Sequence, residues 1–228
     1  VNGERSPAPP WGARVHLPVA ALVAALVVAC VALLDRPAAL WAHGLGHGAV
    51  KLFKRVTVLG SSVPYLVATA LLAPLLHWGF GRARAARRAL FVFVAVAVSG
   101  LAVDVAKVLF GRWRPKALFE DPARYGFDFL SYGYVHNSFP SGHAATAGAV
   151  ACALTLLFPR WAALWLGAGA LVAASRVVVG AHYPGDVVAG FWFGAVVALA
   201  LAGARWFRDA VAGADPRHPP FGKGGEGV

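Results

Sequence analysis

Six apolar runs set the terms on which this chain can fold. Residues 17–34, 63–80, 89–110, 144–158, 161–179 and 187–207 are almost uninterrupted in Ala, Val, Leu, Gly and Phe, and a helix needs about 20 such residues to cross the hydrocarbon core of a bilayer. In lipid the backbone must satisfy its own hydrogen bonds, which makes helices the spanning form for runs of this length. The fourth run is short and leans on the preceding loop. Charged residues make up only 14% of the chain and the mean hydropathy is +0.64, outside the balance of a soluble domain. With no repeat of fixed period, the expectation is an all-α integral membrane bundle of six transmembrane helices. One domain then covers residues 17–207, between Pro/Gly-rich cytoplasmic tails at 1–16 and 208–228 that are expected to be disordered.

The formal net charge of +11 does not point to nucleic acid, because the basic residues lie in short segments between apolar runs and not on one soluble face. They read as topology signals. Arg82, Arg84, Arg87 and Arg88 form an acid-free cluster between the second and third runs, Arg160 separates the fourth and fifth, and Arg205 and Arg208 close the sixth. With Arg5 and Arg14 they place both termini in the cytoplasm. The segments 36–62 and 111–140 and the turn around His182 then face the other side. In the first of these, the spacing of Ala49, Val50, Leu52, Phe53 and Val56 beside Lys51, Lys54 and Arg55 predicts a basic amphipathic surface helix. Cys30 and Cys152 both lie inside apolar runs and read as small buried hydrophobes.

Three polar clusters interrupt the apolar pattern, and in this topology all three fall on the non-cytoplasmic side. "KVLFGRWRP" ends the third run, "PSGH" opens the fourth, and "SRVVVGAHYPGD" bridges the fifth and sixth. A charge inside lipid is costly, about 3 kcal/mol on lenient scales, so it needs a partner or a task. Lys107 and Arg114 are two helical turns apart, and if the helix continues to Pro115 they form a two-pronged cationic grip; taken alone they also fit a snorkelling lysine and a flanking arginine. Ser141 after Pro140 is a good N-cap, and the free amides of the helix start at Gly142 make an anion site. Arg176 offers a fork-shaped donor suited to phosphate oxygens. His182 and Asp186 are one turn apart, so the carboxylate can hold one ring nitrogen and leave the other free to attack. Helix capping is the alternative for that pair in isolation.

In order, these clusters fill K-x-x-x-x-x-x-R-P, P-S-G-H and S-R-x-x-x-x-x-H-x-x-x-D, with Lys107, Arg114, Pro115, Pro140, Ser141, Gly142, His143, Ser175, Arg176, His182 and Asp186. The chain thereby resembles the type 2 phosphatidic acid phosphatase superfamily, which also includes vanadium haloperoxidases and glucose-6-phosphatase. The resemblance implies that Lys107, Arg114 and Arg176, with Ser141 and the amide of Gly142, bind phosphoryl oxygens. It further implies that His182 attacks phosphorus, that Asp186 orients it and that His143 protonates the leaving alcohol. Metal and cofactor are not expected. The implied activity is metal-independent hydrolysis of a lipid phosphate monoester or diphosphate through a phosphohistidine; the alternatives are a phosphotransferase of the same fold and a non-enzymatic anion-binding or transport protein. The implied setting is a bacterial inner membrane with the site on the periplasmic or extracellular side, the bilayer and its lipid phosphates being the partners.

Other features carry less. Asp104, three residues before Lys107, is expected either to orient its ammonium or to bond another helix. His43 and His47 have a metal-compatible spacing but read as interfacial histidines. Gly190 and Gly194 in "GFWFG" fit close helix packing. The 111–140 loop holds Trp113, Phe119, Tyr125, Phe127, Phe129, Tyr132, Tyr134 and Phe139, either an interfacial belt or a lid over a lipid headgroup. Lys116 and Arg124 in that loop are candidates for a second phosphate.

Overall fold

The computed structural model describes residues 13–131 and 133–211, so most of both expected tails, and Tyr132, lie outside the described residues. Five stretches are long and apolar enough to cross a membrane, and the helix Gly142–Leu157 is apolar but shorter. This is a multi-pass helical membrane protein. Its exposed surface is rich in large hydrophobics, among them Leu17, Leu22, Leu33 and Leu71, as expected of a surface solvated by lipid.

The first span is longer than expected. Helix α1 (Ala13–Ala29) passes through a π-helical segment (Cys30–Leu34) into α2 (Asp35–His43), so that helix continues into the 36–62 segment beyond the first apolar run. The widened turn precedes Pro37, which lacks the amide a regular helix would use. Asp35 can lie inside the helix because it is paired (below). Cys30 and Cys152 are both buried.

A helix forms over the basic amphipathic stretch, α3 (His47–Thr57), and none of its residues is buried. A short 3₁₀ turn and an extended Ser61 separate it from α4 (Ser62–Pro74). Helix α5 (Ala83–Phe110) then runs from the arginine cluster to Lys107. The short α6 (Pro115–Glu120) follows, then α7 (Gly142–Leu157), α8 (Ala162–Val178), α9 (Pro184–Gly203) and α10 (Arg205–Val211). Helix is already present at Ala13 and still present at Val211.

Helix α7 is the hub, packed by α5, α8 and α9. Its enclosure explains why 16 residues suffice. Gly and Ala make the close approach possible: a Cβ on Gly148 would sit 2.0 Å from the carbonyl oxygen of Phe191, one on Gly190 2.3 Å from that of Ser141, and one on Gly194 2.0 Å from that of Ala145. Small residues at an interhelical contact let dispersion act between backbones where lipid removes the hydrophobic drive. This packing also fixes the start of α9 against the start of α7, which is where the polar clusters meet.

Candidate active site

Four chain segments meet at one end of the bundle: the C-terminal ends of α5 and α8, and the N-terminal ends of α7 and α9. The antiparallel connections make this so, and the arginine cluster lies at the far end of α5, about 40 Å away for a helix of this length.

Helix α5 stops sooner than the spacing argument assumed. Gly111 adopts the left-handed conformation at φ 50° and its amide bonds the Lys107 carbonyl at 2.9 Å, a glycine helix stop. A Cβ there would lie 1.8 Å from the Asp128 carbonyl oxygen. Lys107 and Arg114 are therefore not two turns apart on one helix; Arg114 is extended, and the chain folds back to bring it in. Its Nε donates to the Tyr134 carbonyl (2.8 Å) and its Nη2 to that of Asn137 (3.1 Å), while the guanidinium stacks on the Tyr134 ring at 4.1 Å.

Lys107 donates to Asp104 at 2.8 Å, the first of the two options for that acid. Its Nζ lies 3.3 Å from the place a Cβ on Gly142 would occupy, so the glycine leaves room for an ammonium above the N-terminus of α7. Ser141 caps that helix and is fully buried. Arg176 donates from Nη1 to Thr57 Oγ1 at 2.8 Å, and its Nε is buried with no partner in the protein. An orphaned cationic donor in a built polar site is a place for an anion. The Arg176 carbonyl accepts the amides of Ala181 (3.0 Å) and His182 (3.3 Å), with Gly180 at φ 67° completing the turn. That turn delivers His182 back to the cluster. His143, on the first turn of α7, is within electrostatic reach of Arg176, His182, Lys107 and Arg114.

His182 is 4% exposed. Its Nδ1 is 2.8 Å from the Ser138 carbonyl oxygen and 3.7 Å from Asp186 Oδ2. A carbonyl can only accept, so Nδ1 carries the hydrogen and Nε2 is left with its lone pair. Asp186 acts on the ring across an ionic distance, not through a direct hydrogen bond. Burial pushes the imidazole down to about 4 against the pull of Asp186, which keeps it neutral near pH 7.

Asp186 is fully buried and accepts from Ser138 Oγ at 2.6 Å, from the Tyr183 amide at 2.9 Å and from Arg112 Nη1 at 2.6 Å. Arg112 reaches Asp35 with its other terminal nitrogen, also at 2.6 Å. Arg112, Asp35 and Ser138 join the cluster although none of them is a defining position of the three sequence motifs. An acid in an apolar run was a usable signal for Asp35, since such a group needs a partner; Ser138 had none. The other named residues sit apart. His43 stacks on Phe119 at 4.0 Å, while Lys116 and Arg124 pair with Glu120 (3.7 Å) and Asp121 (3.5 Å). Of the loop aromatics, Phe127 and Phe139 pack with Phe110, and Phe129 and Tyr134 remain exposed.

The fold and this cluster define a class: a helical membrane protein in which two histidines and three cations are gathered at one end of the bundle. Residues 88–210 match the PAP2 superfamily, over half of the chain. The chain belongs to that family. It is 41% identical over 112 residues to a lipid A 1-phosphatase of Rhizobium johnstonii, covering 49% of this chain and 46% of the relative. It is 29% identical over 172 residues to a putative undecaprenyl-diphosphatase of Escherichia coli, covering 66% and 79%. The aligned part spans about half the length of the Rhizobium relative. The crystal structure of a transmembrane PAP2-type phosphatidylglycerolphosphate phosphatase from Bacillus subtilis superposes with a TM-score of 0.52 at 21% identity, over 82% of this chain and 85% of that one; at that identity the likeness concerns the fold.

Proposed function

We propose that this chain is a metal-independent lipid phosphate phosphatase working through a phosphohistidine. The observation that carries the reading is the Nδ1–Ser138 hydrogen bond, which leaves Nε2 of a neutral, buried His182 unprotonated within electrostatic reach of Arg114 and Arg176. In the first step Nε2 forms a bond to phosphorus as the bond from phosphorus to the lipid oxygen breaks, and protonated His143 gives its proton to that oxygen. Lys107, Arg114 and Arg176, with Ser141 and the amide of Gly142, neutralise the equatorial oxygens. In the second step water attacks phosphorus, His143 takes its proton, and Nε2 leaves.

Lipid A carrying a 1-phosphate and undecaprenyl diphosphate are the first substrates to try, by similarity to the proteins named above. The proposed setting is a bacterial inner membrane with the site on the non-cytoplasmic side. The test is phosphate release by purified protein from these two lipids, phosphatidate and phosphatidylglycerol phosphate, with chelator and with vanadate. Release that survives chelation and is inhibited competitively by vanadate, a five-coordinate mimic, supports the mechanism. Strict dependence on a divalent metal, or activity in His182→Ala, overturns it. His143→Ala is expected to spare aryl phosphates, whose leaving group needs no proton, far more than lipid alkyl phosphates.

A further inference from the structure

The Arg112 guanidinium is fully buried between two fully buried carboxylates, bonding Asp186 Oδ1 and Asp35 Oδ2 at 2.6 Å each. The other oxygen of each acid is also satisfied. Asp35 Oδ1 accepts the Gly185 amide at 2.8 Å, one of the orphan donors at the start of α9. Asp186 Oδ2 accepts Ser138 Oγ and the Tyr183 amide, and it is this oxygen that faces His182 Nδ1. A Cβ on Gly185 would come within 3.0 Å of Asp35 Oδ2, so the glycine lets the carboxylate reach the helix end. The rings of Tyr183 and Phe127 lie 4.6 and 4.9 Å from the guanidinium carbon and shield the group from water.

Such an arrangement is costly to bury, and a simple ion pair of Arg112 with Asp186 would need one acid fewer. The second acid changes the electrostatics behind the nucleophile. One guanidinium shared by two carboxylates leaves the buried triad with a net charge of −1, whereas Arg112 given wholly to Asp186 would cancel the charge facing the imidazole. The imidazole ring becomes positive when Nε2 bonds phosphorus, so a residual negative charge behind Nδ1 stabilises the state that forms.

We propose that Arg112 and Asp35 are positioning residues for Asp186, tying the first span to the nucleophile so that the carboxylate keeps its orientation and its charge behind His182. This rests on the reading of His182 as nucleophile. Neither residue touches substrate; both act through Asp186.

The test is steady-state kinetics of the purified full chain in detergent with an aryl phosphate and a lipid phosphate, for Arg112→Met, Asp35→Asn and the double variant. Arg112→Met leaves two buried carboxylates uncompensated and is expected to lower kcat by about a hundredfold with KM within about threefold of wild type. Asp35→Asn, which keeps an oxygen for the Gly185 amide, is expected to lower kcat by about tenfold at unchanged KM. The double variant returns the net charge of the cluster to −1, leaves Asp186 with Ser138 and the Tyr183 amide, and is expected to recover kcat by about tenfold over Arg112→Met. A purely structural role predicts lower yield and thermal midpoint, recovered in the double variant, with kcat per folded molecule unchanged throughout. A kcat for Arg112→Met within about threefold of wild type, losses confined to KM, or a double variant no better than the single one would overturn the proposal. If Arg112→Met does not fold, Asp35→Asn decides: wild-type kcat there sinks the idea. His182→Ala, assayed in parallel, separates the two failures, because activity in that variant overturns the nucleophile itself, whereas a dead His182→Ala beside an unaffected Arg112→Met overturns only the clamp.

Discussion

The Nδ1 of His182 lies 2.8 Å from the carbonyl oxygen of Ser138, a residue 44 positions away in sequence. A backbone carbonyl therefore sets the ring's tautomer, and the Ser138 side chain is free for a second task, donating from Oγ to Asp186 at 2.6 Å. Ser138→Ala removes the second contact and keeps the first. The expected result is a fall in kcat of about tenfold, in line with loss of one hydrogen bond to a buried charged group. Asp186→Asn is expected to cost about a hundredfold or more, since it also breaks the ion pair with Arg112. Equal effects of the two substitutions would show that Asp186 acts through its bond to Ser138 alone and that its ion pair with Arg112 adds nothing.

The pH dependence of stability follows from the depressed His182. Its ordinary value of 6.5 falls to about 4 on burial, so between these values the unfolded chain binds a proton that the folded chain does not. Stability from this group is fully present above about pH 6.5 and is lost as pH falls toward 4, by an amount on the order of 3 kcal/mol. Thermal midpoints of wild type and His182→Gln between pH 7 and 4 check this: the wild type is expected to lose more over that window. Parallel curves would contradict the assignment.

Gly60 packs against the proposed acid. A Cβ there would lie 2.9 Å from His143 Cβ and 3.1 Å from its Cδ2, too close without a shift of the ring. Gly60→Ala is expected to lower kcat on a lipid phosphate by about tenfold while sparing an aryl phosphate, because the displaced group is needed only to protonate a poor leaving group. A comparison of kcat on the two substrates gives the answer.

Gly190→Ala is expected to act through the backbone. The added methyl would meet the Ser141 carbonyl oxygen at 2.3 Å, pushing the start of α9 from the start of α7. Overpacking of this kind costs about 1–3 kcal/mol, and here it also moves His182 relative to Ser141. A lowered thermal midpoint together with lost activity is the expected outcome; full activity at a lowered midpoint would detach the site from this contact.

Membrane orientation is expected to place the 111–140 loop outside the cytoplasm, opposite the arginine cluster at residues 82 to 88. Ser131→Cys should react with an impermeant maleimide on intact cells, against the low background of the buried Cys30 and Cys152. Labelling only after lysis would reverse the topology.

The sequence by itself determined the helical, membrane-spanning character of the chain and pointed to several of the residues that gather at one end of the bundle. Long apolar runs have one backbone solution in lipid, and Lys107, Arg176, His182 and Asp186 stand out because a polar group at the edge of such a run is expensive. The tertiary structure decided how those residues are held. Gly111 ended α5 early and brought Arg114 in through an extended loop; Ser138, with a side chain that nothing in its neighbourhood marks, became the partner of both His182 and Asp186. Arg112 joined Asp186 and Asp35 across separations of 74 and 77 residues. Periodicity reports only which face of its own helix a side chain occupies, whereas these bonds depend on where three other segments end once α7 and α9 have packed, a quantity no local pattern encodes.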